Sequence, residues 1–397
     1  MIGWSEIRRE PFRILFPAGV SFGIVGVSHW LFYALGWSRS ASMFYHASIQ
    51  MSSYMACFIA GFLWTALPRF AGADPASNKE LVLLLLLLST QVVLLSFGQW
   101  VGAEFCFAGL LLLLASFAVR RFVKRRSGFS PPAEFLWILI AILHGLIGIA
   151  LLVFGQAHRG LPWSLIMGRS MAQQGFLISI VVGVGGFLAP RVMGRGFLPV
   201  DGADRFFLHA FMGALFCLSF WIEGRGALRA AYLLRAVIVS IEIFWTTKPH
   251  LLPKTPGLYT KLLWISLWML MAGLWGAGLW PSLRVAMLHL VFLGSFSLMT
   301  FAVGTMVILS HAGQAPLLKK PLWALRIVGA GVLTAMVLRV ISDFFPDYFF
   351  LLIGSAAAVW LVAALYWVIA MLPWVLKPAA RDAFEQAHEQ QKKILLR

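Results

Sequence analysis

"YHASIQMSSYMACFIAGFLWTALPRFAG", residues 45–72, decides the fold. From its polar start to Pro68-Arg69 it is long and apolar enough to cross a bilayer as one helix, which takes about 20 residues. Its polar and small groups are ordered: His46, Gln50, Ser53, Cys57 and Gly61 follow the i, i+4, i+7, i+11 spacing of one helical stripe. Such a stripe faces protein, because an imidazole or amide turned toward lipid goes without partners at a cost of kilocalories. A histidine and a glutamine one turn apart inside a membrane helix therefore ask for a reason.

Apolar stretches of the same kind recur from Phe12 to Leu372 in a chain that is 60% hydrophobic and 12% charged. They predict an all-α polytopic membrane protein with about 12 transmembrane helices, near 12–36, 43–67, 80–98, 101–119, 134–154, 171–189, 206–222, 227–246, 260–280, 284–310, 322–342 and 348–372. Residues 1–376 read as a single transmembrane domain, and 377–397 as a short cytoplasmic amphipathic tail at the membrane surface. The start, "MIGWSEIRREPFRILF", has no short apolar core with a small-residue cleavage site, so the first span is expected to be retained.

The net charge of +17 does not point to nucleic acid. The N-terminus, the even-to-odd loops with their helix ends, and the tail hold 24 of the 32 Lys and Arg, and the opposite side holds six. That asymmetry is a positive-inside signal placing both termini in the cytoplasm, with the lipid bilayer as the partner that explains the charge.

The quoted stretch ends "ALPRFAG", the sixth span ends "FLAPRVMG", and the tenth ends "VILSHAGQ". Pro68, Pro190 and His311 are spaced 122 and 121 residues apart, which suggests three four-helix units with spans two, six and ten as counterparts. Each of the three also starts with polar groups: His46 and Gln50, Gln173 and Gln174, and His289.

Topology sorts the nine histidines. His46 and His289 lie at similar depth near the outer ends of spans two and ten, where two neutral imidazoles can clamp a planar haem through Nε2 while Nδ1 is oriented by a neighbour. Interhelical hydrogen bonding is the plainer use of each. His29, His144, His209 and His311 are weaker candidates for copper or a second haem, while His158, His250 and His388 read as solvated. Gln50 belongs to the same face as His46. Arg339 can pair with Asp343 at i, i+4 or reach a haem propionate.

Arg235 and Glu242, seven residues apart on one face of span eight, admit a buried ion pair, a proton relay or a cavity-facing surface. Glu104 and Glu223, at helix ends, read as solvated. Cys57, Cys106 and Cys217 fall in separate spans with no CxxC, so no disulfide, thiolate metal site or covalently attached haem is expected. No Walker loop, GxSxG elbow or HExxH helix is present, which leaves metal chemistry or transport.

"PFRILFPAG" at 11–19, the stretch quoted first, "GRSMAQQGFLISIVVGVGGFLAPRVMG" at 168–194 and "LHLVFLGSFSLMTFAVGTMVILSHAGQ" at 288–314 together resemble the NnrS family of bacterial membrane proteins over nearly the whole chain. The resemblance implies twelve helices, haem and copper, and a part in denitrification and in defence against nitric oxide. Family members typically carry Trp-His-Ala-His-Glu-Met in span two, where this chain reads Tyr45-His46-Ala47-Ser48-Ile49-Gln50. The first histidine is kept and the second is replaced by Ser48, so copper, if that second histidine ligates it in the family, loses a ligand here.

The arrangement is also similar to haem-copper oxidase core subunits, which hold a low-spin haem between histidines of helices two and ten. Spans six and seven lack outer histidines for a copper centre, and span ten has no His-x-His pair, so oxygen reduction is not expected. The leading expectation is a b-type haem between His46 and His289, with nitric oxide as a ligand and quinol or a periplasmic carrier as electron donor. A haem-free secondary transporter or metal exporter, and a sensor or assembly factor, are the rivals.

Overall fold

The computed structural model describes residues 2–125, 131–157, 161–195 and 203–378, which form helices joined by short turns, with no strand among them. The long helices are α1 (Phe12–Ala34), α2 (Met43–Ala71), α3 (Asn78–Ser96), α4 (Trp100–Val123), α5 (Ala133–Ala157), α6 (Pro162–Val192), α7 (Asp204–Gly224), α8 (Leu228–Thr247), α9 (Leu258–Leu279), α10 (Pro281–His311), α11 (Trp323–Ser342) and α12 (Pro346–Val375). All but α8 are long and apolar enough to cross a membrane. Helix α8 has the length but carries Arg229, Arg235 and Glu242, and it packs between α7 and α9. The chain is an all-α, multi-pass membrane protein. The expected amphipathic tail lies almost entirely outside the described residues, as do His158 and His388.

The packing resolves into three arcs of four helices. Helix α2 touches α1, α3 and α4; α6 touches α5, α7 and α8; α10 touches α9, α11 and α12. Helix α12 also packs on α1, so first and last helices are neighbours and the bundle closes. The same three inner helices contain π-helical turns: Ile49–Met55 in α2, Met171–Gly175 and Val181–Gly185 in α6, and Leu290–Ser297 in α10. Such turns cluster at functional sites, since the extra residue re-aims the side chains that follow.

The inner helices also end alike. Gly72, Gly194 and Gly313 sit at φ 60, 72 and 70°, where a side chain is strained, and the residue after each returns a backbone bond five residues back: Ala73 to Pro68, Arg195 to Pro190 and Gln314 to Leu309. The counterpart of Pro68 and Pro190 is thus Leu309, two residues before the expected His311.

Small residues let α1 approach the polar stripe of α2. A Cβ on Gly19 would lie 2.9 Å from Cys57, one on Gly23 3.2 Å from Tyr54, and one on Gly26 2.6 Å from Gln50. The stripe faces protein. On the other side of the core, Trp360 and Trp367 of α12 donate to Ser297 (3.0 Å) and Thr305 (2.8 Å) of α10, which satisfies two buried indole N–H groups.

At the end of the bundle that carries the N-terminus, Glu10 ties three helices together. It accepts from Arg13 of α1 (2.6 Å), Arg69 of α2 (2.7 Å) and His311 of α10 (2.7 Å), and Arg13 donates onward to the Val375 carbonyl (2.5 Å) of α12. His311 is therefore engaged by a carboxylate. Burial alone raises the Glu10 pKa, yet the His311 hydrogen bond and the charges of His311, Arg13 and Arg69 outweigh it and hold it at about 2. A depressed carboxyl pKa contributes stability that is complete above the ordinary value of 4.5 and is lost as pH falls toward 2. The thermal midpoint of the detergent-solubilised wild type should fall between pH 5 and pH 2.5 more steeply than that of Glu10→Gln; equal slopes would remove Glu10 from the acid sensitivity.

Candidate functional site

In the half of the bundle away from the N-terminus, the inner helices and α1, α11 and α12 enclose a cavity of about 880 Å³. This lies within the range of ligand sites for small molecules and cofactors. His46 and Gln50 reach it from α2, Arg169, Gln173 and Gln174 from α6, His289 and Phe292 from α10, Arg339 from α11 and Trp360 from α12. His46 and His289, from different arcs, face one space.

Each ring is held by its inner nitrogen. His46 Nδ1 bonds the Gly26 carbonyl of α1 at 2.8 Å, and His289 Nδ1 bonds the Val285 carbonyl one turn back at 2.7 Å. Neither Nε2 is sealed in the core or bonded to a described residue, so both imidazoles offer a lone pair to the cavity. The two anchors differ in kind. That of His46 crosses to another helix, and the His29 and Trp30 rings stand 5.8 and 6.1 Å away, whereas His289 is tied within its own helix, just before the π-turn.

Gln50 donates to the Gly23 carbonyl at 2.9 Å. Arg339 donates to Asp343 (2.8 Å) and Ser342 (3.0 Å) while still lining the cavity, so its pairing and its exposure to a ligand coexist.

A buried polar network forms the wall on the α6 to α8 side. Glu223 accepts from Arg235 (2.5 Å), Ser170 (3.0 Å), Tyr232 (3.3 Å) and Arg284 (3.3 Å); Gln174 donates to Tyr232 (3.0 Å) and accepts from Arg235 (3.3 Å); Arg235 also reaches Ser219 (2.9 Å). Ser170, Gln174, Tyr232 and Arg284 present this network to the cavity.

Three expectations are corrected here. Glu223 is 1% exposed and not solvated, because the α7–α8 hairpin folds it onto Arg235. Arg235 does not pair with Glu242, whose partner is His209 of α7, at 2.8 Å, with the Trp137 indole N–H 3.4 Å from the same ring nitrogen. Glu104 is buried as well, against the expectation that it is solvated.

The remaining histidines do not converge. His29 shares the Gly26 carbonyl with His46, at 3.0 Å, so it acts behind that ring. His144 is buried against Phe216 and Phe220 with neither nitrogen in hydrogen-bond geometry. Among the described residues no group of three or more His, Cys, Asp and Glu side chains gathers as for a metal ion. His250 is exposed, stacked on Phe244. All three cysteines are free.

Toward the N-terminal end a smaller, almost wholly apolar cleft of about 130 Å³ runs between the inner helices past Phe58, Val184 and Gly304. Met55 and Phe296 border both spaces.

Sequence reasoning missed Arg39, Arg169 and Arg284, which all line the cavity. A signal existed, since they are three of the six cations on the side that positive-inside counting leaves nearly bare. Arg169 falls outside the span expected at 171–189, whereas α6 begins at Pro162, with proline at its first position.

The four arginines Arg39, Arg169, Arg284 and Arg339 meet no Asp or Glu among the cavity-lining residues. Apolar walls, two imidazoles with free Nε2 and a cationic rim suit a planar apolar ligand that carries carboxylates and accepts nitrogen donors, the chemistry of a haem. A family model described as NnrS protein matches residues 6–379, nearly the whole chain. Comparison with curated proteins returns no match.

Proposed function

The chain belongs to the NnrS family, and from that premise we propose that it binds a b-type haem between α2 and α10 in nitric-oxide or nitrosative-stress metabolism, in the bacterial inner membrane with both termini cytoplasmic. The observation that carries this reading is the placement of His46 and His289 on one cavity, each with Nδ1 fixed by a carbonyl and Nε2 open.

When bound, haem supplies a redox-active iron that can also take a diatomic ligand. The chain's own residues would hold it: His46 and His289 as nitrogen donors, with Gln50 beside His46, Trp360 and Phe292 as apolar walls and Arg339 as a cation for a carboxylate, all of them lining the one cavity. His46, tied across helices, would be the more firmly held donor, and His289, tied only within its own helix, the one freer to move aside. Electrons come from quinol or a periplasmic carrier. The copper implied by the family finds no cluster among the described residues, and no copper step is proposed.

The test is an oxidised-minus-reduced visible spectrum of the purified protein, repeated with nitric oxide. A b-type spectrum that changes on adding the gas is expected. A colourless protein after expression with ample haem sinks the reading and leaves transport, for which the buried ions of α7 and α8 would be the substrate or proton groups.

A further inference from the structure

The three inner helices present three polar groups at nearly one height. His46 lies 22 residues before Pro68, Arg169 21 before Pro190, and His289 20 before Leu309, counting from the positions matched by the helix-end hydrogen bonds. Two corners of the cavity therefore carry imidazoles and the third carries a guanidinium.

Arg169 has no hydrogen-bond or ion-pair partner among the described residues, and its guanidinium stands 5.6 Å from the Phe44 ring. Gln173, one turn on, also faces the cavity without a hydrogen bond to a described residue. Arg284 lines the same cavity, so two guanidinia share its wall. The acid in contact with Arg284 is Glu223, at 3.3 Å, and Glu223 already serves Arg235 at 2.5 Å. One carboxylate is shared by two guanidinia, and Arg169 is left uncompensated. A cation inside a membrane protein is costly, and two brought together more so, unless an anion completes them.

We propose that Arg169 and Arg284, with the Gln173 amide, form an anion-binding subsite in the cavity wall for a small oxyanion or carboxylate. A guanidinium pair matches the flat two-oxygen edge of such a group, which two forked donors can grip at once. The anion has two conceivable sources of the same chemistry, a free small molecule and a carboxylate of bound haem. The subsite stands on the charge balance and does not need haem to be present.

The experiment titrates sodium propionate calorimetrically into the full-length protein as purified in detergent, at ionic strength held constant with sodium chloride, alongside measurement of haem content. Wild type is expected to bind saturably, Arg169→Gln about tenfold or more weakly, and Arg169→Lys in between, since lysine keeps the charge without the planar fork. Arg169 donates no hydrogen bond to a described residue, so the glutamine variant should keep the wild-type thermal midpoint, and that is checked first. Should wild type take up no propionate while Arg169→Gln purifies with less haem, the same recognition holds with haem as the source. A colourless wild type that binds propionate through Arg169 would uphold the subsite and remove the haem reading. Arg169→Gln that alters neither propionate binding nor haem content overturns the subsite.

Discussion

Replacing His46 by alanine is expected to strip the purified protein of its haem absorption, whereas replacing His289 should convert the spectrum and leave haem bound. Both follow from how the rings are held. The Gly26 carbonyl fixes His46 from a second helix, and a glycine there lets α1 come within reach: a Cβ would stand 2.6 Å from Gln50 and 2.8 Å from Ile49. The ring therefore has one orientation, which is what a ligand needs to keep hold of a metal centre. His289 depends on Val285 in its own helix, and the π-turn that begins at Leu290 gives it a less fixed base.

Loss of the fixed ligand should empty the site; loss of the other should open a coordination position. In the His289→Ala protein nitric oxide should shift the spectrum at lower concentration than in wild type, because no side chain competes. Neither variant removes a bond between helices other than that of His46 to Gly26, so both should insert and purify in normal amounts. Wild-type spectra in both variants would dismiss these residues as ligands. The reverse order, with haem lost from His289→Ala and retained in His46→Ala, would keep the site and exchange the two roles.

Much of the architecture could be read from the sequence because the physics that sets it is local. A run of some 20 apolar residues is a span whatever its neighbours, and the helix ends at Gly72, Gly194 and Gly313 repeat because the same left-handed cap is built from the same kind of residue. The pairing of buried charges was not local. Periodicity on α8 put Arg235 and Glu242 on one face and made them candidates for each other, yet each found a partner on α7, Glu223 and His209. One helix's spacing says which groups share a face and nothing of what the next helix lays against them. Arg169 escaped for a related reason: a charge near the start of an apolar run looks like loop, and only the packing of α6 against α5 shows it inside the bundle. The π-turns have no reliable sequence mark at all.

The largest loss of stability is expected from Glu223→Ala. Arg235 is fully enclosed and its counter-ion is 1% exposed, so truncating the acid leaves a guanidinium inside the bundle with Ser219 and Gln174 as its hydrogen-bond partners among the described residues and the Phe220 and Tyr232 rings beside it. Breaking a buried pair from one side costs about 3–5 kcal/mol, against roughly 0–1 for an exposed one. Ser170, Tyr232 and Arg284 lose their acceptor in the same step, which places the variant at the upper end of that span. Replacing both partners, Glu223→Leu with Arg235→Met, should recover part of the loss, since the enclosed guanidinium is then gone and the packing volume is nearly kept, while the more exposed Arg284 still lacks its acceptor. Thermal or denaturant unfolding in detergent separates the cases. If Glu223→Ala unfolds within about 1 kcal/mol of wild type, water reaches Arg235 and the network is not sealed. If the double variant is no better than the single one, the cost lies in the neutral partners, Tyr232 and Gln174, whose hydroxyl and amide set the shape of the cavity wall. The same wall carries Arg284, which Glu223→Ala frees of its carboxylate, so that variant should lose stability without losing the charge that draws an anion, whereas Arg169→Gln should lose anion recognition at unchanged stability.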